Sequence, residues 1–535
     1  MTIRLRLGAV ALALCLTGLA AAKTLHRRDE TFDWMNLTAS TNLTLVPCYG
    51  QFECARLTVP LQYSNASAGE AQIAMLVIPA AVPRDDPAYL GPLLFNPGGP
   101  GNSGVQYALQ EAANFSLVLG RNYDIVGFDP RGVGFTTPPL AFFESPAEAL
   151  EFFAPYPFSA NDSASSLGRI FAQSRILSDL ADTRAGAVAE SVSTPTVALD
   201  MLSIVRAFGR EKLSFYGVSY GSLLGATFAA MFPDKIERMA LDGIVNAHEW
   251  YQGTSYVNAS LTDTEAVLDA VYTSCVGAGP SACPIFEASP ALVRARVERA
   301  IAAAQAAPVP VYNASSGAFA VVDGTLVAHQ LFEMLYTPYT SALPFARAVA
   351  ALETGDGSLM LPGSEAAIVD AYATCAGAGR PFSAGFLDVG AAITCGDSLV
   401  AGTRTVDQAR AEYERMAVVS GQAAAWYPLS QGICAGWSIR GKDRLNGSFE
   451  TNTSFPILFI SNALDPVLAV TNAHNMSAGF SGSVVLTQNA TGHTSQSGFA
   501  PCTALALNAY FDNGTLPSPG TVCQSEEQIF SSAES

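Results

Sequence analysis

The chain has 535 residues, 49% hydrophobic and only 14% charged, with 46 acidic against 28 basic side chains and a formal net charge of −18. It can bury a large core and is long enough for two to four domains. The acidic balance, with no basic cluster, argues against nucleic acid and anionic membrane surfaces as partners; no metal-ligand cluster appears, and no cofactor is predicted.

Residues 1–22 read as a secretory signal, with Arg4 and Arg6, an apolar centre over 7–19, and Ala20-Ala21-Ala22 as the cleavage site. That apolar run is short for a membrane span and nothing later replaces it, so no span is predicted. Arg27-Arg28 reads equally as a dibasic processing site or a polar tail. Twelve Asn-x-Ser/Thr sequons follow, at Asn36, Asn42, Asn65, Asn114, Asn161, Asn258, Asn313, Asn446, Asn452, Asn475, Asn489 and Asn513. With the leader they predict a secreted, extracellular protein carrying N-glycans. Nine cysteines remain after the leader. Close spacing suggests Cys48–Cys54, Cys275–Cys283 and Cys502–Cys523, with Cys395–Cys434 as a fourth pair and Cys375 left single.

Stretches 57–63 and 72–79 alternate or run apolar like strands. A short strand at 93–95 opens into Asn96-Pro97-Gly98-Gly99-Pro100-Gly101, followed by a helix to about Phe115. The strand 123–128 ends at Asp129-Pro130-Arg131-Gly132-Val133-Gly134, and 138–195 is irregular and partly helical. A helix over 196–208 leads into a strand over 213–216, then Gly217-Val218-Ser219-Tyr220-Gly221, then a helix of small apolar residues. A strand over 238–241 ends at Asp242-Gly243. This alternation predicts a mostly parallel sheet covered on both faces. From about 247 to 450 the pattern turns helical and alanine-rich, which reads as an inserted cap. Strands resume at 455–461 and 483–487, and a last helix covers about 504–511.

Gly-x-Ser-x-Gly between strand and helix is the setting of an exposed nucleophile, because glycines on either side relieve a tight turn. In isolation the motif is weak, and a bland Gly/Ser turn is the alternative. A serine hydroxyl needs a base, and the base an acid that orients it. In a parallel sheet of this kind the order is Ser, acid, His. Of five histidines, His26 lies in the leader region, His248 and His329 precede any late acid, and His474 reads as a helix surface residue. His493, in the loop after the strand 483–487, is the predicted base. Asp465, just past the preceding strand, is the predicted acid, with Asp242 its rival. The oxyanion donors are predicted to be the N–H groups of Tyr220 and Gly99, since Pro100 has none. A catalytic cysteine is disfavoured, because none sits in a turn beside a base.

These motifs, together with Leu241-Asp242-Gly243, Gly492-His493, Ala392-Ile393-Thr394-Cys395-Gly396-Asp397 and Cys434-Ala435-Gly436-Trp437, resemble the α/β-hydrolases of the prolyl aminopeptidase type. The resemblance is specifically to the secreted tripeptidyl-aminopeptidase-like branch with its own C-terminal region, and it runs from about 48 to 523. It implies an α/β-hydrolase fold with a mostly parallel central sheet, helices on both faces and an inserted helical cap. The expected division is signal 1–22, first core part 23–246, cap 247–450, second core part 451–523 and polar tail 524–535. It also implies a peptide substrate with a free N-terminus, its ammonium held by acids of the cap. Glu249 is the cap acid singled out. A secreted carboxylesterase or lipase with the same triad is the alternative. A non-catalytic binding protein is a more remote one, since such proteins usually lose a triad member. Oligomeric state is not predicted.

Overall fold

Alternating strands and helices build one ten-stranded sheet, seen in a computed structural model that describes residues 32–530 apart from 158, 161–162, 254–259, 314–316, 318, 362–385, 401, 426 and 446. The leader, His26, Arg27-Arg28, Cys375 and the sequons at Asn161, Asn258 and Asn446 lie outside the described residues. The strands are β1 Val46–Cys48, β2 Phe52–Pro60, β3 Glu70–Ile78, β4 Gly91–Asn96, β5 Tyr123–Phe128, β6 Leu213–Val218, β7 Ile236–Asp242, β8 Val309–Tyr312, β9 Phe319–Val322, β10 Leu458–Leu464, β11 Val484–Thr491 and β12 Val522–Gln524. The sheet runs β1-β2-β3-β5-β4-β6-β7-β10-β11-β12. The β1–β2, β2–β3 and β3–β5 pairs are antiparallel, and β5 through β12 are parallel.

Strand periodicity divides the core between two faces. Leu94, Val126, Phe215 and Phe459 point into one cluster, shared with the cap. Leu93, Phe95, Ile125, Leu458 and Ile460 point into the other, which is covered by the helices Gly104–Val118 and Pro501–Asn513. The helix Thr194–Ala207 starts where Ser193 accepts from the Thr196 N–H and Pro195 fills the first turn.

Several boundaries differ from the sequence reading for physical reasons. β1 and β12 are three residues each, too short to show a period. β2 stops at Pro60 because the Pro60 and Leu61 carbonyls accept from the Arg131 guanidinium instead of continuing the ladder. Arg131 is itself fully buried and paired with Asp200, Nε to Oδ2 at 2.6 Å and an Nη to Oδ1 at 2.7 Å. The cap contains a hairpin, β8–β9, beside its helices. Within 138–195, two helices form, Pro146–Phe153 and Ser166–Ala189. The second packs on 433–438: the Ser174 hydroxyl donates to the Ile433 carbonyl and accepts from the Gly436 N–H, and Ser178 accepts from the Ser438 N–H. The helical layer is therefore assembled from two stretches of chain, 146–189 and the long insertion after β7.

Among the described residues four disulfides form: Cys48–Cys54, Cys275–Cys283 and Cys502–Cys523, expected from close spacing, and Cys395–Cys434, the fourth expected pair. All nine described sequon asparagines are exposed. Among the described residues one helical stretch, 166–207, is long and apolar enough to cross a membrane, and 78% of its apolar window is buried inside the fold.

Candidate functional site

Five loops leave the C-terminal ends of β4, β6, β7, β10 and β11 and meet at one point, as the topology of an open parallel sheet dictates. At its centre Ser219 bridges β6 and the helix Tyr220–Met231 with φ 58° and ψ −122°. That conformation is costly for any residue with a side chain. The turn closes because its neighbours have none. A Cβ on Gly217 meets the Gly221 carbonyl oxygen at 2.2 Å, and one on Gly221 meets the Asn96 carbonyl oxygen at 2.5 Å. The Ser219 N–H donates to the Asp242 carbonyl at 2.8 Å, tying the turn to the end of β7.

Ser219 Oγ lies 2.9 Å from His493 Nε2. The other ring nitrogen, Nδ1, lies 3.0 and 3.1 Å from the two oxygens of Asp465. Asp465 is fully buried and also accepts the N–H groups of Val467, Leu468 and Thr494 at 2.9–3.0 Å. Thr494, next to the imidazole, is, among the described residues, the other non-glycine residue of the site at positive φ, 62°.

Asp242 does different work. It accepts from the N–H and hydroxyl of Ser495 and from the Tyr216 hydroxyl, whereas the carboxylate on His493 Nδ1 is Asp465. Burial raises its carboxyl above the ordinary aspartate range, against the pull of those donors. It thus anchors the loop that carries His493. Asn462 adds a second anchor, donating to the Gly492 and Thr494 carbonyls and to Ser497 Oγ.

The predicted oxyanion loop lies against the serine. A Cβ on Gly98 falls 2.8 Å from Ser219 Cβ and 3.1 Å from the Tyr220 nitrogen, and Gly99, Ser219 and Tyr220 line one cavity of about 400 Å³. Asp129 of the Asp-Pro-Arg-Gly motif fixes this loop's exit by accepting from the Ser103 hydroxyl and the Val105 N–H.

The cap closes over the same cavity. His493 N–H donates to the Tyr336 carbonyl at 2.8 Å, and the two rings meet edge to face at 5.1 Å. Glu249, singled out from the sequence, is half-buried on the short helix Ala247–Gln252 and does not line the cavity; its neighbour Trp250 does. The acid on the wall is Glu333, an exposed residue near the end of the helix Gly324–Met334. Sequence offered no signal for it, because only the tertiary docking of the cap sets which acid faces Ser219. His474 is exposed on the helix Val470–Gly479, and the His248 ring packs against Phe449.

A further buried acid links the cap and the Ser219 turn. Asp397 accepts from the Thr194 N–H and hydroxyl and from Trp250 Nε1, and Thr194 Oγ1 is 2.7 Å from the Tyr220 hydroxyl.

Residues 91–264 match the alpha/beta hydrolase fold family, and 418–523 match the TAP-like family. The chain has the α/β-hydrolase fold. Among curated proteins it is 33% identical over 234 residues to a tripeptidyl aminopeptidase of Streptomyces lividans, covering 41% of this chain and 40% of that one. It is 28% identical over 285 residues to the serine protease Hip1 of Mycobacterium tuberculosis, 52% of each chain. It is 43% identical over 89 residues to carboxylesterase B of the same species, 16% of each. The matches thus span about half or less of these relatives' own lengths.

Burial raises the Asp397 carboxyl from 3.8 to about 6, outweighing its hydrogen bonds. A carboxyl that binds its proton more tightly when folded contributes stability fully present below about pH 3.8 and lost as pH rises through about 6. Urea unfolding of wild type and Asp397→Asn should therefore differ by an amount that falls against the wild type between about pH 4 and 6 and then levels. A difference independent of pH contradicts the assignment.

Proposed function

We propose that this chain is a secreted serine hydrolase, and that it releases short peptides or single residues from free peptide N-termini. The observation that carries the first part is the unbroken hydrogen-bonded line from Ser219 Oγ through His493 to Asp465. In this reading Ser219 Oγ attacks the scissile carbonyl while His493 Nε2 takes its proton. Asp465 accepts from Nδ1–H and holds the ring in the tautomer that leaves Nε2 free to act as base. The tetrahedral oxyanion is met by the N–H groups of Gly99 and Tyr220. His493 then returns the proton to the departing amine, breaking the carbon–nitrogen bond and leaving an acyl-enzyme. Water, activated by the same imidazole, hydrolyses that ester and frees Ser219.

The exopeptidase part is supported by the cap over the cavity, which favours a chain end over the middle of a folded polypeptide, and by an acid on the cavity wall. Glu333 takes the role of ammonium partner, in place of Glu249. The names of the aminopeptidase relatives point the same way. Secretion is supported by the leader-like N-terminus, the four disulfides and the exposed sequons. The short match to a carboxylesterase favours a second reading, in which the same triad cleaves esters.

Three measurements test this. Asp465→Asn should lower turnover by roughly 10³–10⁴ while Asp242→Asn acts mainly on stability; the reverse ranking reassigns the acid. Acetylating the amino group of a tripeptidyl arylamide should lower kcat/KM at least about tenfold, or ~1.4 kcal/mol of transition-state binding. Glu333→Gln should lower kcat/KM for the free-amine substrate by about the same factor and leave the acetylated one nearly unchanged. Equal rates on blocked and free substrates, or activity confined to esters, favour the esterase reading.

A further inference from the structure

Asp397 takes no part in the proposed reaction, yet it is buried between the cap and the Ser219 turn. It closes the short helix Ala391–Asp397, which the Cys395–Cys434 disulfide pins to the stretch around Cys434. Its Oδ2 accepts from Trp250 Nε1 at 3.0 Å, and Trp250 belongs to the helix that begins the cap, Ala247–Gln252. From the core, the Thr194 N–H donates to Oδ1 at 3.0 Å and the Thr194 hydroxyl to Oδ2 at 2.5 Å.

A carboxylate has no proton to give, so these bonds have fixed directions. The Thr194 hydroxyl spends its proton on Asp397, and its oxygen therefore accepts from the Tyr220 hydroxyl at 2.7 Å. The line runs from Tyr220 through Thr194 to Asp397, and Trp250 meets it from the cap. All four residues are buried, and the Tyr220 and Trp250 rings lie 5.8 Å apart across the same seam. Tyr220 and Trp250 also line the cavity that holds Ser219. Hydrogen bonds to a buried charge are stronger than neutral ones, and losing one partner leaves the others unsatisfied. The same cap helix has a second hold on the core, where the Tyr251 hydroxyl lies 3.0 Å from Thr227 Oγ1. Cutting the line at Thr194 therefore loosens the cap at its Ser219 end without detaching it.

We infer that Asp397 is a positioning residue: it seats the cap against the Ser219 turn and thereby sets how tightly the acyl part of a substrate is held, without touching the reacting atoms. The inference rests on the proposed hydrolase reading, in which the acyl part lies under the cap.

Steady-state kinetics on a tripeptidyl arylamide and on p-nitrophenyl acetate, whose acyl group is too small to reach the cap, test it, with rates taken per site titrated by a fluorophosphonate. Thr194→Val, which deletes the hydroxyl and keeps the shape, should raise KM for the arylamide about tenfold, as loss of a hydrogen bond to a charged group allows. It should change kcat for the arylamide and the rate on the acetate by less than about twofold. Asp397→Asn should do the same, and Thr194→Ser, which retains the hydroxyl, should keep the wild-type KM. A purely structural role lowers the number of titratable sites and leaves KM as it is. Unchanged KM in both Thr194→Val and Asp397→Asn, equal losses on the two substrates, or a raised KM in Thr194→Ser overturns the inference. If the wild type cleaves the acetate and not the arylamide, the exopeptidase reading alone fails, and p-nitrophenyl octanoate, long enough to extend under the cap, takes the arylamide's place in the same comparison. A wild type that cleaves none of the three overturns both.

Discussion

One backbone constraint organises this molecule: Ser219 must hold a left-handed turn between a buried strand and a buried helix. At φ 58° the residue is strained, and three things hold it there. Gly217 and Gly221 let the strand end and helix start touch, Gly98 lets the neighbouring loop lie on the turn, and the Asp242 carbonyl holds the Ser219 N–H. The close-packed sheet at the other end of β6 leaves the turn no room to relax. Strain therefore presents the hydroxyl on a rigid base, and the neighbouring strands supply its partners.

The imidazole is held differently. His493 sits on a loop, and a loop is precise only if its backbone is tied down. Here Asn462 of β10, Asp465 just past its end and Asp242 of β7 hold the loop, and the Tyr336 carbonyl of the cap accepts from the histidine's own N–H. Asp242 and Asp465 are both fully buried acids at strand ends, yet one grips the loop and the other the imidazole. Because the cap contacts His493 directly, displacement of the cap changes the His493 environment as well as the cavity roof.

The parallel core was legible because its signals are local. Buried runs bounded by Gly, Asp or Pro recur at β4, β5, β6 and β7, and Gly-x-Ser-x-Gly marks the strained turn. Chain order and strand ends singled out Ser219, Asp465 and His493, and the structure brings Ser219 and Asp465 each within hydrogen-bond distance of the His493 ring. Short strands such as β1 and β12 carry no period and escaped. So did the packing of 166–189 on 433–438, because residues some 260 positions apart meet there with no local pattern to announce it. Glu249 was singled out for its place near the start of the cap, whereas Glu333 reaches the cavity wall through tertiary docking. The Asp397–Thr194–Tyr220 connection was equally invisible, being a contact between three separate segments.

The central claim is that Ser219 is a nucleophile activated by the site around it. Active-site labelling with a fluorophosphonate, followed by peptide mapping, tests it most directly. The account predicts stoichiometric, saturable phosphonylation of the peptide containing Ser219, abolished when the protein is unfolded before labelling. Labelling at another serine, or none in the folded protein, contradicts it.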